Sequence, residues 1–569
     1  MDIGIKIIIA VAVILVLIGI KMVCDEKARR KRMREFLINS WGKSADRNYS
    51  EEQWNAIVSY YKVLEKKAEE SQRHEFVDDI TWNDLDMDEV YQVWNHTRTS
   101  IGEEYLYAAL RHPIASDAEM EERERVITYL LEHTQERMYL QEALAEIGKL
   151  ERMSVYDHLE LIQDMKPIGA LPHLLAGVCL VGALIGCAFA PEFMVIVSIV
   201  IMGGNIISYY QAKAKVDSYI RLFTFILHMV EQCEGVARKT IPGLEKYQDQ
   251  LKKQTSCFGK YRRFCFLVNG GSGMSGDIMD SLMDYIRILF HVDLVKMSTM
   301  IREAKKYEQQ LRIMYDTIGY LDTMLSTASC RIMYGEYCVP QLSHQANGKF
   351  AVTEMYHPLI PEGVRNSITA ERSALLTGSN ASGKSTFIKT VAINAILAQT
   401  LHTVLAENYQ ASWFCIASSM ALRDDILSQE SYYIVEIRSL KRILDLTRSS
   451  ELPVLCFIDE VLRGTNTVER IAASSRILQA IAEQGGLCFA ATHDIELTYL
   501  LEKEYDNYHF EEQVEDDKVT FDYRLREGRA CTRNAIRLLK MLGYDENIVD
   551  DANERVALFL KSGNWVSSH

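Results

Sequence analysis

The residues best suited to chemistry lie in the C-terminal half of the chain. Gly378, Ser379, Asn380, Ala381, Ser382, Gly383, Lys384, Ser385 and Thr386 follow the apolar run ALLT and precede FIKTVAINAILAQ, which has helical character. The spacing is G-x-x-x-x-G-K-S. Its glycines let backbone N–H groups face a phosphate chain, and the helix N-terminus behind them adds a positive field. Lys384 reaches the terminal phosphates and Ser385 can hold Mg2+. A second element, VLCFIDE from Val454 to Glu460, is an apolar run ending in adjacent carboxylates. Asp459 suits the water shell of a metal, and Glu460 suits orienting or polarising an attacking water. A third apolar run, FAATHD, brings His493 to its end. A lone histidine there is more often structural than catalytic, but after two phosphate elements it reads as a donor sensing a γ-phosphate. The three together imply a nucleoside triphosphatase that uses ATP and Mg2+.

Such residues need strand ends to hold them. From about Asn347 short β-branched runs alternate with helical stretches: SALLTG, TVLAE, ELPVLCFIDE, GLCFAATH and KVTFDYRL. This alternation predicts an α/β sheet with its site at the carboxyl ends of the strands. Residues 44–165 and 211–337 read instead as long helices, interrupted by the glycine-serine stretch NGGSGMSGD at 269–277. A length of 569 residues leaves room for several domains, and a mean hydropathy of -0.08 suits a chain that lies mostly in water. Twelve cysteines without CxxC pairs indicate neither a zinc ribbon nor a secreted disulfide scaffold. A net charge of -15 disfavours wholesale wrapping of nucleic acid.

Two regions depart from that aqueous composition. Residues 3–20 are apolar apart from Lys6 and are followed by KMVCDEKARRKRMR, a basic stop without a small-residue cleavage site, so an uncleaved membrane anchor is predicted. Residues 172–210 form two apolar runs around Pro191 and Glu192, read as a transmembrane hairpin, with a buried hairpin in a soluble core as the rival. Flanking lysines place both hairpin ends in the cytoplasm. The predicted chain is multi-pass, with its N-terminus outside, three transmembrane helices and most of its mass cytoplasmic.

Beyond these elements, the sequence resembles the MutS family of mismatch-repair ATPases. TGSNASGKST is similar to the family phosphate loop, FIDEVLRGTNTVE to its acidic strand and turn, and ATHDIEL to its A-T-H-x-x-E-L switch. SYYIVEI (431–437) is similar to a stretch whose serine enters the partner subunit's nucleotide site. NYHF, FDYRLREG and NAIRLLKMLGY resemble the family's terminal strands and helix. TRTSIGEEYLYAALRHP (97–113) and GYLDTMLSTAS (319–329) resemble the two ends of its helical core. The resemblance implies an α/β P-loop ATPase domain with a MutS/ABC-like mixed sheet, C-terminal to a long-helix lever domain. It implies phosphate and Mg2+ contacts from Gly378 to Thr386, metal and water handling by Asp459 and Glu460, and γ-phosphate sensing by His493. Ser431 would act in trans, so a homodimer is implied. The expected division is 1–23 anchor, 24–79 basic linker, 80–171 core-like helices, 172–210 hairpin, 211–337 levers, and 338–569 ATPase with dimerisation helices.

The departures narrow the function. An apolar helix stands where a mismatch reader carries its wedge domain, and little chain follows the ATPase, so neither mismatch reading nor an appended nuclease is expected. Residues 211–265 carry eleven Lys or Arg against five Asp or Glu. DNA phosphates and anionic lipid headgroups both suit that excess. One reading is an ATPase that clamps structured or branched DNA without sequence preference. The other is a mechanical ATPase acting on the membrane, or on a membrane protein, without DNA. An ABC-type transporter engine lacks its LSGGQ-like signature.

Overall fold

The structure is a computed structural model that describes residues 3–44, 47–70, 76–150, 152–165, 169–214, 217–263, 278–344, 348–360, 362–379, 382–420, 432–462, 466–515, 518–530, 536, 539 and 543–562. The chain divides into two compact units. One comprises residues 1–72, 92–109 and 122–333, the other residues 73–91, 110–121 and 334–569.

The first unit is helical. Its longest buried element is the 27-residue helix Glu308–Tyr334, which is buried on nearly every side from Leu311 to Arg331. Asp322 on this helix is fully buried and accepts from the backbone N–H groups of Arg98 and Thr99 at 3.0 and 2.9 Å, and from Thr99 Oγ1 at 2.7 Å. It thereby satisfies the donors that begin the helix Ser100–Arg111. Gly319 permits the close approach of Tyr105, since a Cβ there would meet the ring at 2.7 Å. The segments 97–113 and 319–329, far apart in sequence, therefore pack directly on one another within the residues that belong to this unit.

The N-terminal apolar run lies in a single helix, Ile3–Ser40, of 38 residues. It continues through the basic stretch, where Arg29 pairs with Glu146 at 2.8 Å. The side chains of residues 3–19 lie outside the described residues. The apolar hairpin is present as the helices Ala170–Gly186 and Pro191–Lys213, with Pro191 opening the second, where its missing N–H costs nothing.

Three transmembrane helices were expected, and here the structure corrects the sequence. Among the described residues one helix, Pro191–Lys213, is long and apolar enough to cross a membrane. Its partner Ala170–Gly186 stops at 17 residues, because residues 187–190 are used to reverse the chain. Both helices expose large apolar side chains, among them Leu174, Val178, Ile196, Ile199 and Val200, and so does the turn between them at Phe189. At its base the hairpin is held by polar contacts. Asn205 Nδ2 donates to the carbonyls of Ala176 (3.2 Å) and Leu289 (2.8 Å). His173 and His291 share a 2.9 Å contact between ring nitrogens, and Tyr209 donates to Asp293 at 2.8 Å. Gly177 brings the first helix onto the backbone of Phe290, whose carbonyl oxygen a Cβ would meet at 3.0 Å. Burial holds the Asp293 carboxyl above the usual carboxylate range, partly offset by the Tyr209 hydroxyl.

The second unit is α/β. Strands β1 (Gln341–Ser343), β2 (Phe350–Met355), β3 (Asn366–Ala370) and β5 (Asn408–Ser412) form a four-stranded sheet in the order β1-β5-β2-β3. A six-stranded sheet runs β10-β9-β4-β8-β7-β6, built from β4 (Ser373–Thr377), β6 (Cys415–Ser419), β7 (Val454–Asp459), β8 (Leu487–Thr492), β9 (Tyr505–Glu515) and β10 (Lys518–Glu527). Only β10 is antiparallel to its neighbour. Every residue of β4, β7 and β8 is buried, as expected for parallel strands covered on both faces. Leu375, Cys456, Ile458, Cys488 and Ala490 pack with Leu478 and Ile481 of the helix Thr467–Glu483.

The edge strand β6 is closed by an early segment of the chain. Asp84 accepts from Ser418 Oγ at 2.7 Å and from the Met420 N–H at 2.9 Å, while Thr81 Oγ1 accepts from the Ser418 N–H at 3.0 Å. Residues 73–91 and 110–121 thus belong with the sheet, an attachment that the sequence division at 338 does not contain.

Candidate nucleotide site

The registers of β4, β7 and β8 bring three loops to one edge. Thr377 pairs with Thr492, and Asp459 with Ala491, so the segments that begin at Gly378, Glu460 and His493 leave the sheet side by side. Carboxyl ends of parallel strands are where such a fold places its ligands.

The phosphate loop starts at Gly378 with φ 146° and ends at Gly383 with φ 102°, values that a side chain strongly disfavours. A Cβ on Gly378 would sit 2.8 Å from the carbonyl oxygen of Phe510 and 2.9 Å from Ser382 Oγ. The helix Lys384–Thr400 follows with no side chain capping its N-terminus. Lys384 is buried and folds back on the loop, donating to the carbonyls of Gly378 (2.7 Å) and Ser379 (2.8 Å). Ser379 Oγ donates to Glu512 of β9 at 2.9 Å, which ties the loop to the strand pair beside it. Thr386 is exposed on the first helical turn. Asn380 and Ala381 lie outside the described residues, as does Ser431.

Ser385 Oγ donates to Asp459 Oδ2 at 2.6 Å. His493 Nε2 lies 2.8 Å from Glu460 Oε1. The structure therefore brings the predicted residues together as two pairs, a hydroxyl with a carboxylate and an imidazole with a carboxylate. Glu460 has φ 60° and Leu462 φ 59°, left-handed conformations that cost non-glycine residues about 1 kcal/mol or more each. Hydrogen bonds hold this turn: the Glu460 N–H donates to Ala491 O at 3.0 Å, the Leu462 N–H donates to the buried carboxylate of Glu436, and Ser474 Oγ donates to Val461 O at 3.3 Å.

Glu436 and Arg470 are the residues that sequence reasoning missed. Glu436 stands inside the quoted stretch SYYIVEI, of which only the serine received a role. Arg470 binds Asp494 in a two-pronged contact at 2.9 and 2.6 Å, fixing the residue next to His493. The bond to Asp494 raises the guanidinium's already high pKa, with a further contribution from the charge of Glu460. Its only sequence signal is its place in the helix that follows the acidic strand.

Three observations suit a nucleoside triphosphate with its metal. The loop is a cradle that a Cβ at Gly378 would fill, and the helix N-terminus carries no side-chain cap. Ser382 Oγ is buried with no hydrogen-bond partner among the described residues. A phosphate chain supplies the missing acceptors. Ser385 and Asp459 are hard oxygen donors of the kind Mg2+ takes.

The family model of MutS domain V matches residues 374–559. The DNA mismatch repair protein MutS of Streptococcus sanguinis strain SK36 is 24% identical over 82% of this chain and 59% of its own length. That of Natronomonas pharaonis is 31% identical over 42% of this chain and 28% of its own. The DNA mismatch repair protein MutS 2 of Haloarcula marismortui is 26% identical over 45% and 29%. The chain thus spans about three fifths of the first relative's length and under a third of the other two. Residues 374–559 are thus a domain similar to MutS domain V, and the chain is similar to MutS proteins over as much as 82% of its length.

Proposed function

We propose that this chain is a membrane-associated ATPase of the MutS type, which binds ATP with Mg2+ and couples its hydrolysis to DNA binding without sequence preference. The observation that carries the ATPase reading is the pairing of Ser385 with Asp459 and of His493 with Glu460 at the ends of adjacent buried strands.

In this reading the backbone from Gly378 to Gly383 and the amine of Lys384 bind the phosphates, the amine leaving its carbonyl partners as it does so. Ser385 and Asp459 hold Mg2+, which supplies charge neutralisation at the terminal phosphates. Glu460 accepts a proton from, and orients, the attacking water. The imidazole of His493 fixes the carboxylate of Glu460 and stands ready to donate toward the terminal phosphate. Arg470, acting through Asp494, positions the His493 backbone. Ser431 acts across a homodimer interface, completing each site from the second copy. The relatives named MutS are mismatch repair proteins, and the DNA role assigned to this chain rests on that likeness together with the basic excess in residues 211–265.

Membrane association rests on the apolar run 3–20 and on the apolar side chains exposed along the hairpin. The bulk of the chain lies on the cytoplasmic side in this reading. ATP turnover by the detergent-solubilised full chain, measured with branched DNA and separately with lipid vesicles, tests the proposal. Stimulation by DNA supports the coupling. A response to vesicles with indifference to DNA at low salt transfers the output to the membrane instead.

A further inference from the structure

The helix Lys384–Thr400 carries Lys384 and Ser385 on its first turn, so its placement decides where they stand. Two early segments of the chain, residues 73–91 and 110–121, belong with the α/β unit and hold this helix at two places. Near its start, Lys389 pairs with Asp86 at 2.6 Å, both side chains being partly buried. Near its end, the Gln399 carbonyl accepts from the Ile114 N–H at 3.0 Å. The Gln399 side chain also accepts from the Phe414 N–H at 2.6 Å and donates to the Phe414 carbonyl at 3.0 Å. Between these points Asn394 donates to Tyr356 O at 3.2 Å and accepts from the Leu405 N–H at 2.8 Å. The helix is pinned along its length.

Lys389 stands one helical turn beyond Ser385, on the same face of the helix. Its pair with Asp86 fixes that turn, and the turn presents Ser385 Oγ to Asp459. Asp86 is itself held. It adopts φ 51°, a left-handed conformation that Asp tolerates better than most residues. It follows the short helix Asp79–Asp84, whose Thr81 and Asp84 bond Ser418 and Met420 at the end of β6. Asp78 caps that helix by accepting from the Thr81 N–H at 2.8 Å, and it also pairs with Arg442. Arg442 lies on the helix Tyr432–Ser449, as does Glu436, whose carboxylate accepts from the Leu462 N–H in the turn after Glu460. Residues 78–86 therefore tie the phosphate helix to β6 and to the helix that braces the Glu460 turn.

We propose that Asp86 is a positioning residue of the nucleotide site: through Lys389 it sets the phosphate helix so that Ser385 and Asp459 are placed to share one Mg2+. It acts through the helix alone, from a position 303 residues before Lys389. The proposal rests on the ATPase reading above and adds a residue to it that lies outside the phosphate loop and the strand ends.

The test uses the full chain in detergent. Binding of a non-hydrolysable ATP analogue is measured by calorimetry across Mg2+ concentrations and in chelator, with ATP turnover alongside. Asn accepts the same backbone conformation as Asp, so Asp86→Asn removes the charge and leaves the turn. Asp86→Asn and Lys389→Met should each raise the Mg2+ concentration that half-saturates analogue binding by about threefold to tenfold, and lower kcat with it, while affinity in chelator is unchanged. The double variant should do no more than either single change, because both remove one contact. A half-saturating Mg2+ concentration unmoved in Asp86→Asn overturns the proposal. So do effects that add in the double variant. An equal loss of analogue affinity with and without Mg2+ also overturns it, since the pair would then support the loop rather than the metal end. The midpoint in Mg2+ does not depend on how much of a sample is folded, so a less stable variant still reports. Absence of Mg2+-dependent analogue binding by the unaltered chain overturns the ATPase reading, and this proposal falls with it.

Discussion

Ser385 and Asp459, seventy-four residues apart, meet at 2.6 Å between hydroxyl and carboxylate. One opens the helix after β4 and the other closes β7, so the contact measures how closely two strand ends are held. A metal entering between them finds both oxygen donors in place. Asp459→Asn should therefore weaken Mg2+-dependent nucleotide binding about tenfold or more while sparing the metal-free component. Titrating ATP with Mg2+ and again with chelator checks this.

Glu460 and His493 form the reacting pair. Glu460→Gln keeps the shape and removes the proton acceptor, so turnover should fall by about 10²- to 10⁴-fold with ATP affinity nearly unchanged. A comparable loss of binding would show that Glu460 holds the nucleotide rather than the water. Lys384→Ala should instead abolish binding, since it deletes the charge placed for the terminal phosphates.

Arg470 touches neither pair directly, yet its two bonds to Asp494 set the segment that carries His493. Arg470→Ala should lower kcat by about tenfold and leave KM in place, because it loosens a positioning contact rather than a binding one. Arg470→Lys, which keeps the charge but not the fork, should recover only part of the rate.

His357 gives the α/β unit an acid-sensitive point. Its Nδ1 accepts from the Leu359 N–H at 3.1 Å, and burial, with the charge of Lys389 nearby, lowers its pKa to about 4. The unfolded chain titrates at about 6.5, so it takes up the proton first. Stability from the neutral ring is complete above about pH 6.5 and is lost as pH falls toward 4, a change of about 3 kcal/mol. His357→Gln should flatten that limb of the stability profile, measured by denaturant unfolding across this range.

Asn205 anchors the hairpin by donating to the carbonyls of Ala176 and Leu289. Asn205→Ala should lower the thermal stability of the detergent-solubilised chain by about 1 to 3 kcal/mol. An unchanged melting temperature would mean that the apolar contacts around Gly177 hold the hairpin without it.

The phosphate loop, Asp459 and His493 were legible because each is announced locally, by an apolar strand and the residues at its end. Their companions were not. Glu436 reaches Leu462, in the turn after β7, from the helix Tyr432–Ser449, and Arg470 reaches Asp494 from the helix Thr467–Glu483, so no spacing betrays either. The hairpin was visible as composition, but its helix lengths were not, since the residues spent on reversing at 187–190 come out of an unbroken apolar text. The resemblance named 97–113 and 319–329 only as the ends of a helical core, and the packing of 97–109 on 319–329 was not legible. Asp322, the residue that joins them, reads in sequence as one acidic residue among many.

The grip of Asp84 on Ser418 and Met420 has a consequence for how the protein is made. A ribosome delivers Thr81 and Asp84 more than three hundred residues before the strand they finish. Until β6 emerges, that segment has no sheet to cap, and a fragment beginning at Tyr334 would present the same strand with its edge uncovered. Assembly of the sheet is thus a late event in biosynthesis, and truncation from the N-terminal side would leave an edge prone to pairing with other chains.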